Sequence, residues 1–193
     1  MPLPRTLTNS MGSPITLSPV PQLLRSASTS PNLGGVPTAW SLGVNMQPQV
    51  QTNWCWAATS SSVHRFYQNA SSAWSQCDVA NAELTQTACC VNGSTPQCNQ
   101  AWYLDRALTR VGHFRSMSSG VVAVVALNTE LIGNRPVCCR VGWSGGGGHF
   151  LAIDGLDISG TTMLTVQDPI YGTSSMDYAT CQRRPENLLN QPV

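Results

Sequence analysis

The stretch QVQTNWCWAATS, residues 49–60, places a single cysteine, Cys55, between two tryptophans. The small residues that follow it lead into Val63 and Tyr67, and this apolar spacing is typical of a helix. We predict that the helix begins at Cys55 and ends near Gln68. Because the positive end of a helix dipole favours the thiolate, the nucleophilic form of cysteine, Cys55 is a candidate nucleophile.

The composition is that of a globular chain with few charges. Hydrophobic residues make up 41% of the 193 residues, charged residues make up 10%, and the net charge is +1. Such a chain lacks the basic surface that binds nucleic acid or anionic membranes. No apolar run approaches the roughly 18 residues of a membrane-spanning helix. We therefore expect neither nucleic acid nor a membrane as a partner. We also expect a monomer.

Residues 1–35 differ in composition from the rest of the chain. They are rich in proline, serine and threonine and show no sustained hydrophobic periodicity. This predicts a disordered leader or a pro-segment. The segment lacks the basic and apolar regions of a secretory signal peptide. We place the folded domain at residues 36–193.

Hydrophobic periodicity predicts helices first and strands afterwards. Beyond the helix at Cys55, the predicted helices span 77–84, 101–111 and 121–132, and the predicted strands span 135–143, 149–156, 161–167 and 171–178. A helical N-terminal half followed by an antiparallel sheet predicts an α+β fold.

A cysteine nucleophile needs a base within hydrogen-bond reach and a group that orients the base. The chain has three histidines. His64 lies nine positions after Cys55, about 13 Å along the predicted helix, which is too far for contact. His113 follows a predicted helix end, where a structural or surface role is expected. His149 follows four glycines and opens a strand, so it is the candidate base.

An acidic residue ends the next predicted strand. Asp168 lies nineteen residues after His149 and directly precedes Pro169. A carboxylate at the end of a neighbouring strand can accept the imidazole N–H and fix the tautomer of the histidine. Asp168 is therefore the candidate orienting residue.

Gln49, Cys55 followed by Trp56, and a late pair of His149 and Asp168 together resemble the papain-like cysteine peptidases. The resemblance implies that Gln49 donates to the oxyanion, that Cys55 is the nucleophile, and that His149 is the acid and base. It also implies that Asp168 orients His149, although papain itself has an asparagine in this role. Gln51 also precedes Cys55 and is a rival for the oxyanion role, but the spacing favours Gln49.

The chain is similar to a compact bacterial branch of this superfamily that includes effector proteases of plant pathogens. The similarity rests on the WCWAA core and on the pairs Cys89-Cys90 and Cys98-Asn99, and it covers roughly residues 40–180. Cys55 and His149 are 94 residues apart, whereas about 130–150 residues separate them in papain and the cathepsins. The resemblance therefore carries over the chemistry but not the substrate pockets of papain.

The function implied by the resemblance is a cysteine endopeptidase that acts on a protein or peptide substrate without a cofactor. We expect it to be secreted or translocated into another cell. Two alternatives remain open. A glutamine deamidase or a transglutaminase-type toxin uses the same cysteine, histidine and aspartate chemistry. A secreted, disulfide-linked binding module with a merely buried Cys55 has no enzymatic activity.

Eight cysteines indicate an oxidising compartment or a metal site. No C-x-x-C pair occurs, and adjacent cysteines are poor ligands for one tetrahedral ion, so we favour disulfides over structural zinc. Cys138 and Cys139 alternate faces of a predicted strand, so at most one of them pairs with Cys181. Two bridges that hold the loop between the second and third predicted helices are expected among four cysteines close in sequence, with three connectivities open: Cys77, Cys89, Cys90 and Cys98.

Overall fold

The computed structural model describes residues 4–7, 15–17, 38–68, 74–117, 121–143 and 147–179. The helices are α1 (Cys55–Gln68), α2 (Gln76–Leu84), α3 (Leu104–Arg110) and α4 (Val124–Ile132). The strands are β1 (Pro4–Leu7), β2 (Ile15–Leu17), β3 (Ala39–Ser41), β4 (Phe114–Met117), β5 (Val137–Trp143), β6 (Gly148–Asp157), β7 (Met163–Asp168) and β8 (Gly172–Asp177). The predicted α+β fold is confirmed.

Each predicted helix and strand is present, but α3 and α4 begin three residues later than the sequence indicated. Tertiary hydrogen bonds account for both differences. The carbonyl of Gln100 accepts the indole N–H of Trp56, and the carbonyl of Val122 accepts the hydroxyl of Tyr178. These bonds hold the chain extended just before each helix, whereas periodicity alone carries no information about them.

Antiparallel pairing joins all the described strands into one sheet. Its order is β4–β2–β5–β6–β7–β8, with β1 also paired to β5 and β3 to β6. The sequence did not predict β3 and β4, which are too short for a periodic signal. Within the described ranges, no helix has the length and apolar character needed to span a membrane.

Two strands, β1 and β2, lie within the segment for which the sequence predicted a disordered leader. Neither was predicted, because three or four residues are too few to show alternation. The rest of residues 1–37 lies outside the described residues. The proposed boundary between leader and domain therefore stays a prediction.

The sheet separates two apolar clusters. One contains α1 with α3, and the other contains α4 with the opposite face of the sheet. Along β5, Cys138 belongs to the first cluster, whereas Val137 and Cys139 belong to the second. The prediction that Cys138 and Cys139 occupy opposite faces is confirmed. Any bridge to Cys181 stays a prediction because Cys181 lies outside the described residues.

Helix α1 is buried on almost every side. Residues 55–63 are all buried, and most are small, which lets neighbouring elements approach closely. The hydroxyls of Ser60 and Ser62 donate back to helix carbonyls at 2.9 and 2.7 Å, so their burial leaves no unpaired donor. The Thr59 hydroxyl donates to the carbonyl of Phe150 on β6 at 3.5 Å. The helix that begins at Cys55 is therefore fixed directly against the sheet.

Two disulfides close the loop between α2 and α3. They link Cys77 to Cys90 and Cys89 to Cys98, which confirms the two predicted bridges and selects one of the three connectivities. Cys55 takes part in neither bridge. The four cysteines of these two bridges are therefore engaged in covalent bonds, whereas Cys138 and Cys139 take part in neither bridge.

His64 and His113, which the sequence left outside the site, contact each other. The Nδ1 atom of His64 lies 3.0 Å from the Nε2 atom of His113, whose buried ring stacks on Tyr67. Burial and, as a smaller effect, the neighbouring His64 together lower the pKa of His113 to about 4. His113 is therefore a neutral core residue at physiological pH.

We expect acid to destabilise the wild-type protein more than a His113→Phe variant. The pKa of His113 is lowered from 6.5 to about 4 on folding, so in this window the unfolded chain binds a proton that the folded chain does not. The stability present above pH 6.5 is therefore lost as the pH falls. Urea denaturation across this range measures the difference, because phenylalanine keeps the ring on Tyr67 but cannot titrate.

The free energy of unfolding of each protein is expressed relative to its own value above pH 7, where the histidine is neutral in both the folded and the unfolded chain. If the two proteins lost stability in parallel as the pH fell, the assignment of His113 as a buried neutral group would be wrong.

Candidate active site

Cys55 is the first residue of α1 and is only 8% exposed. The tryptophans on either side of it are fully buried. The indole N–H of Trp54 donates to the carbonyl of Cys98 at 2.7 Å, and that of Trp56 donates to the carbonyl of Gln100 at 2.9 Å. Both bonds join the start of α1 to the disulfide-linked loop. The two tryptophans therefore pack around the start of the helix and exclude water from one side of Cys55.

His149 and Asp168 meet at one edge of the sheet. His149 lies near the start of β6 and Asp168 ends β7, and these two strands pair antiparallel. The Nε2 atom of His149 lies 2.9 Å from Oδ1 of Asp168, and both side chains are almost completely buried. The sheet therefore brings together two residues that are nineteen positions apart.

Asp168 is held in place by the turn that follows it. Its Oδ1 atom accepts the backbone N–H groups of Ile170 at 2.7 Å and Tyr171 at 3.1 Å, as well as the imidazole. Its Oδ2 atom is buried and has no hydrogen-bond partner among the described residues. The turn that begins at Pro169 thus fixes the Asp168 carboxylate independently of its contact with the histidine.

The imidazole of His149 interacts with both Asp168 and Cys55. Burial alone lowers its pKa, but hydrogen bonds to the Asp168 carboxylate and to Cys55, with the charges of those two groups, raise the pKa to about 9. Since Nε2 faces Asp168, the other ring nitrogen, Nδ1, is left for Cys55. The histidine therefore carries a proton at neutral pH when its two neighbours are charged.

Gln49 lies beside the turn that precedes Cys55. Its backbone N–H donates to the carbonyl of Pro169 at 2.8 Å, directly after Asp168. Its side-chain Nε2 donates to the carbonyls of Gln51 at 2.9 Å and Thr52 at 3.0 Å, while Oε1 is buried without a hydrogen-bond partner among the described residues. The amide thus lies against the start of α1, with its N–H groups engaged by the turn.

The rival residue Gln51 has a different environment. A Cβ atom at Gly93 would lie 3.0 Å from Nε2 of Gln51, so this amide lies against the disulfide-linked loop. Gly93 is therefore needed at this point, because a side chain there would also meet Trp54. Of the two glutamines, Gln49 is the one whose amide lies against the turn carbonyls before Cys55.

A cavity of about 380 Å³ opens beside Cys55. Its floor includes Gly148, where a Cβ atom would lie only 2.6 Å from the Arg140 guanidinium. The guanidinium therefore packs directly against the backbone just before His149. The walls are mainly aromatic and come from both halves of the domain: Trp56, Trp102, Tyr103 and Phe150.

Sequence reasoning missed a buried carboxylate beneath the site. Asp154 on β6 accepts the backbone N–H of Val44 at 2.8 Å and the side-chain amide of Gln167 at 3.2 Å. Burial raises the pKa of Asp154, and these hydrogen bonds oppose the rise. Gln167 precedes Asp168 on β7, so the network ties the segment leading to Gln49 to the strand that carries Asp168. The only sequence signal was one aspartate inside the apolar run FLAIDGL.

Comparison with known proteins identifies the family. The model of a family described as papain-like cysteine protease AvrRpt2 matches residues 38–181. No curated protein and no solved structure matches the chain. The match covers most of the chain, including Cys55, His149 and Asp168, and agrees with the resemblance drawn from the sequence. The chain therefore belongs to the AvrRpt2 family of papain-like cysteine proteases.

Proposed function

We propose that this cysteine peptidase is an endopeptidase with a triad of Cys55, His149 and Asp168. The observation that carries the proposal is the buried imidazole of His149, which bonds to Asp168 at 2.9 Å and interacts with Cys55 at the start of α1. A nucleophile, a base and an orienting carboxylate in this order are the components of acyl transfer by a cysteine.

In the proposed reaction, the Cys55 thiolate attacks the carbonyl carbon of the scissile peptide bond. A sulfur–carbon bond forms, and the carbonyl π electrons move to oxygen. When the tetrahedral intermediate collapses, the C–N bond breaks and the imidazolium of His149 gives its proton to the leaving amine. Neutral His149 then takes a proton from water, which hydrolyses the thioester and restores the thiolate and imidazolium.

The negative oxygen of each tetrahedral intermediate needs donors close by. We assign the backbone N–H of Cys55, at the N-terminus of α1, and the side-chain amide of Gln49. In the resting protein the Gln49 amide donates to the carbonyls of Gln51 and Thr52. One of these N–H groups exchanges its carbonyl for the stronger acceptor, the oxyanion, as the intermediate forms.

The substrate class follows from the family and the proposed chemistry. The substrate is a protein or peptide, which binds across the aromatic cavity beside Cys55, and the reaction needs no cofactor. The catalytic groups all belong to one chain, which supports a monomeric enzyme.

We propose that the protein is secreted or translocated into another cell. Two disulfides favour an oxidising environment during folding. All ten basic residues are arginine, so the chain offers no lysine for ubiquitin. Both features suit a protease that leaves the cell that makes it.

We expect Cys55→Ala and His149→Ala to abolish peptide hydrolysis while the fold is retained. Gln49→Ala should lower kcat by about 10²–10³, the usual cost of one oxyanion donor. The matched control is Gln51→Ala, whose amide lies against the disulfide loop instead. Hydrolysis of an unfolded protein is followed beside ammonia release from a glutamine substrate. Full peptidase activity in Cys55→Ala would end the proposal, and ammonia release without cleavage would favour the deamidase.

The pH dependence of kcat/KM tests the role of Asp168. Since the pKa of His149 is raised to about 9, the imidazolium is present below that pH, and activity should fall as the pH rises through it. Asp168→Asn removes the carboxylate charge that contributes to the raised pKa of His149. The decrease of kcat/KM at alkaline pH should therefore occur at lower pH in this variant. Asp157→Asn, an exposed carboxylate at the end of β6, is the control. If kcat/KM of Asp168→Asn decreased at the same alkaline pH as that of wild type, the assignment of Asp168 as the partner of His149 would be contradicted.

Lysine substitution tests translocation into a eukaryotic cytosol. We expect a variant with Arg106→Lys and Arg115→Lys, both on the surface, to decay faster than wild type after delivery into such cells. The reason is that the new amines are acceptors for ubiquitin, and a proteasome inhibitor should remove the difference. Equal decay of the two proteins would mean that the absence of lysine has no connection with life in a host cytosol.

A further inference from the structure

The turn before Cys55 has to be rigid although it lies at the surface. Its carbonyls at Gln51 and Thr52 accept both N–H groups of the Gln49 amide. Thr52 and Asn53 are nevertheless exposed, so packing does not hold them. The position of the proposed oxyanion donor therefore depends on whatever hydrogen bonds fix this turn from its outer side.

Asn99 makes those hydrogen bonds. Its Oδ1 atom accepts the backbone N–H of Asn53 at 3.0 Å, and its Nδ2 atom donates to the Thr52 hydroxyl at 2.8 Å. Its backbone carbonyl also accepts the side-chain amide of Asn53 at 2.8 Å. One residue thus contacts two successive residues of the turn through a side-chain acceptor, a side-chain donor and a main-chain acceptor.

Asn99 is itself held firmly. It follows Cys98, which is bonded to Cys89, and its backbone N–H donates to the carbonyl of Thr95 at 2.8 Å. The carbonyl of Cys98 accepts the indole of the buried Trp54 at 2.7 Å. The loop is thereby fixed to the core on one side of Asn99, so the amide of Asn99 offers a rigid template for the turn.

We infer that Asn99 is a positioning residue for the oxyanion hole and acts through the turn at residues 51–53. It holds the Thr52 carbonyl where that carbonyl orients the Gln49 amide. Without the Asn99 side chain the exposed turn has more conformations, and Gln49 spends less time in the orientation from which it reaches the oxyanion. The inference rests on the proposed function, in which Gln49 is an oxyanion donor.

The test compares two reactions of the same thiol. Hydrolysis of a fluorogenic peptide that wild type cleaves needs an oxyanion hole, whereas alkylation of Cys55 by iodoacetamide forms no oxyanion. We expect Asn99→Ala to lower kcat with little change in KM and an unchanged alkylation rate. The loss should be about tenfold, less than the 10²–10³ of a full donor, because the backbone carbonyl of residue 99 still accepts from Asn53.

A double variant shows whether Asn99 acts through Gln49. In the Gln49→Ala background, Asn99→Ala should cause no further loss of kcat, because residues that act as one unit are not additive. Thr52→Val removes the acceptor of the Asn99 amide and should lower kcat, while Thr52→Ser should restore it. The matched control is Asn92→Ala, an exposed asparagine of the same loop whose side chain bonds only to Ser94 among the described residues.

Several results would overturn the inference while leaving the peptidase intact. One is a wild-type kcat in either Asn99→Ala or Gln49→Ala. Another is a double variant in which the two losses of kcat are fully additive. A third is an alkylation rate of Cys55 that falls in Asn99→Ala as much as the hydrolysis rate does. The last would mean that Asn99 merely supports the fold around Cys55. If Cys55→Ala cleaved the peptide as well as wild type, or if wild type cleaved no peptide at all, the proposed function would fail and the inference with it.

Discussion

The buried pair of His149 and Asp168 sets the constraint on which the rest of the site depends. Removing a carboxylate and an imidazolium from water is costly, and their attraction offsets the cost only when geometry is good and the remaining polar atoms are paired. Here Oδ1 of Asp168 receives two backbone N–H groups besides the imidazole, each within 3.1 Å, whereas Oδ2 is buried without a hydrogen-bond partner among the described residues. The turn after β7 therefore has a double role, since it closes the sheet and prepares the carboxylate that keeps His149 charged.

The same turn also reaches the other half of the domain. The carbonyl of Pro169 accepts the backbone N–H of Gln49, and the buried Asp154 binds the segment around Val44 that leads to it. Small errors in the distance between Cys55 and its partners cost large factors in rate. Hydrogen bonds from the sheet to the segment before α1, together with the contact of Thr59 with β6, fix that distance from two sides.

Much of this arrangement was predictable from the sequence. Helix α1 and the strands that carry His149 and Asp168 have strong hydrophobic patterns, and the cysteine, histidine and aspartate follow in the expected order. The contributions of Asp154 and Asn99 were not predictable, because each bonds to a residue more than 40 positions away, and the only local signal was one aspartate inside an apolar run. The late starts of α3 and α4 also depend on residues distant in sequence, since side chains from elsewhere in the chain donate hydrogen bonds to the carbonyls of Gln100 and Val122.

The two sides of Cys55, the proposed nucleophile, are stabilised by different forces, and the proposed reaction explains why. On the side away from the substrate, Cys55 and its flanking tryptophans are fixed by burial in the core. In the proposed reaction, the side that receives the scissile carbonyl has to remain open, so apolar packing cannot hold the turn at residues 51–53. Directional hydrogen bonds from a loop that is itself disulfide-linked can hold the turn without covering it. In a peptidase of this size, disulfides provide stability that a larger domain obtains from a larger hydrophobic core. Here they lie beside the turn at residues 51–53, which burial cannot stabilise.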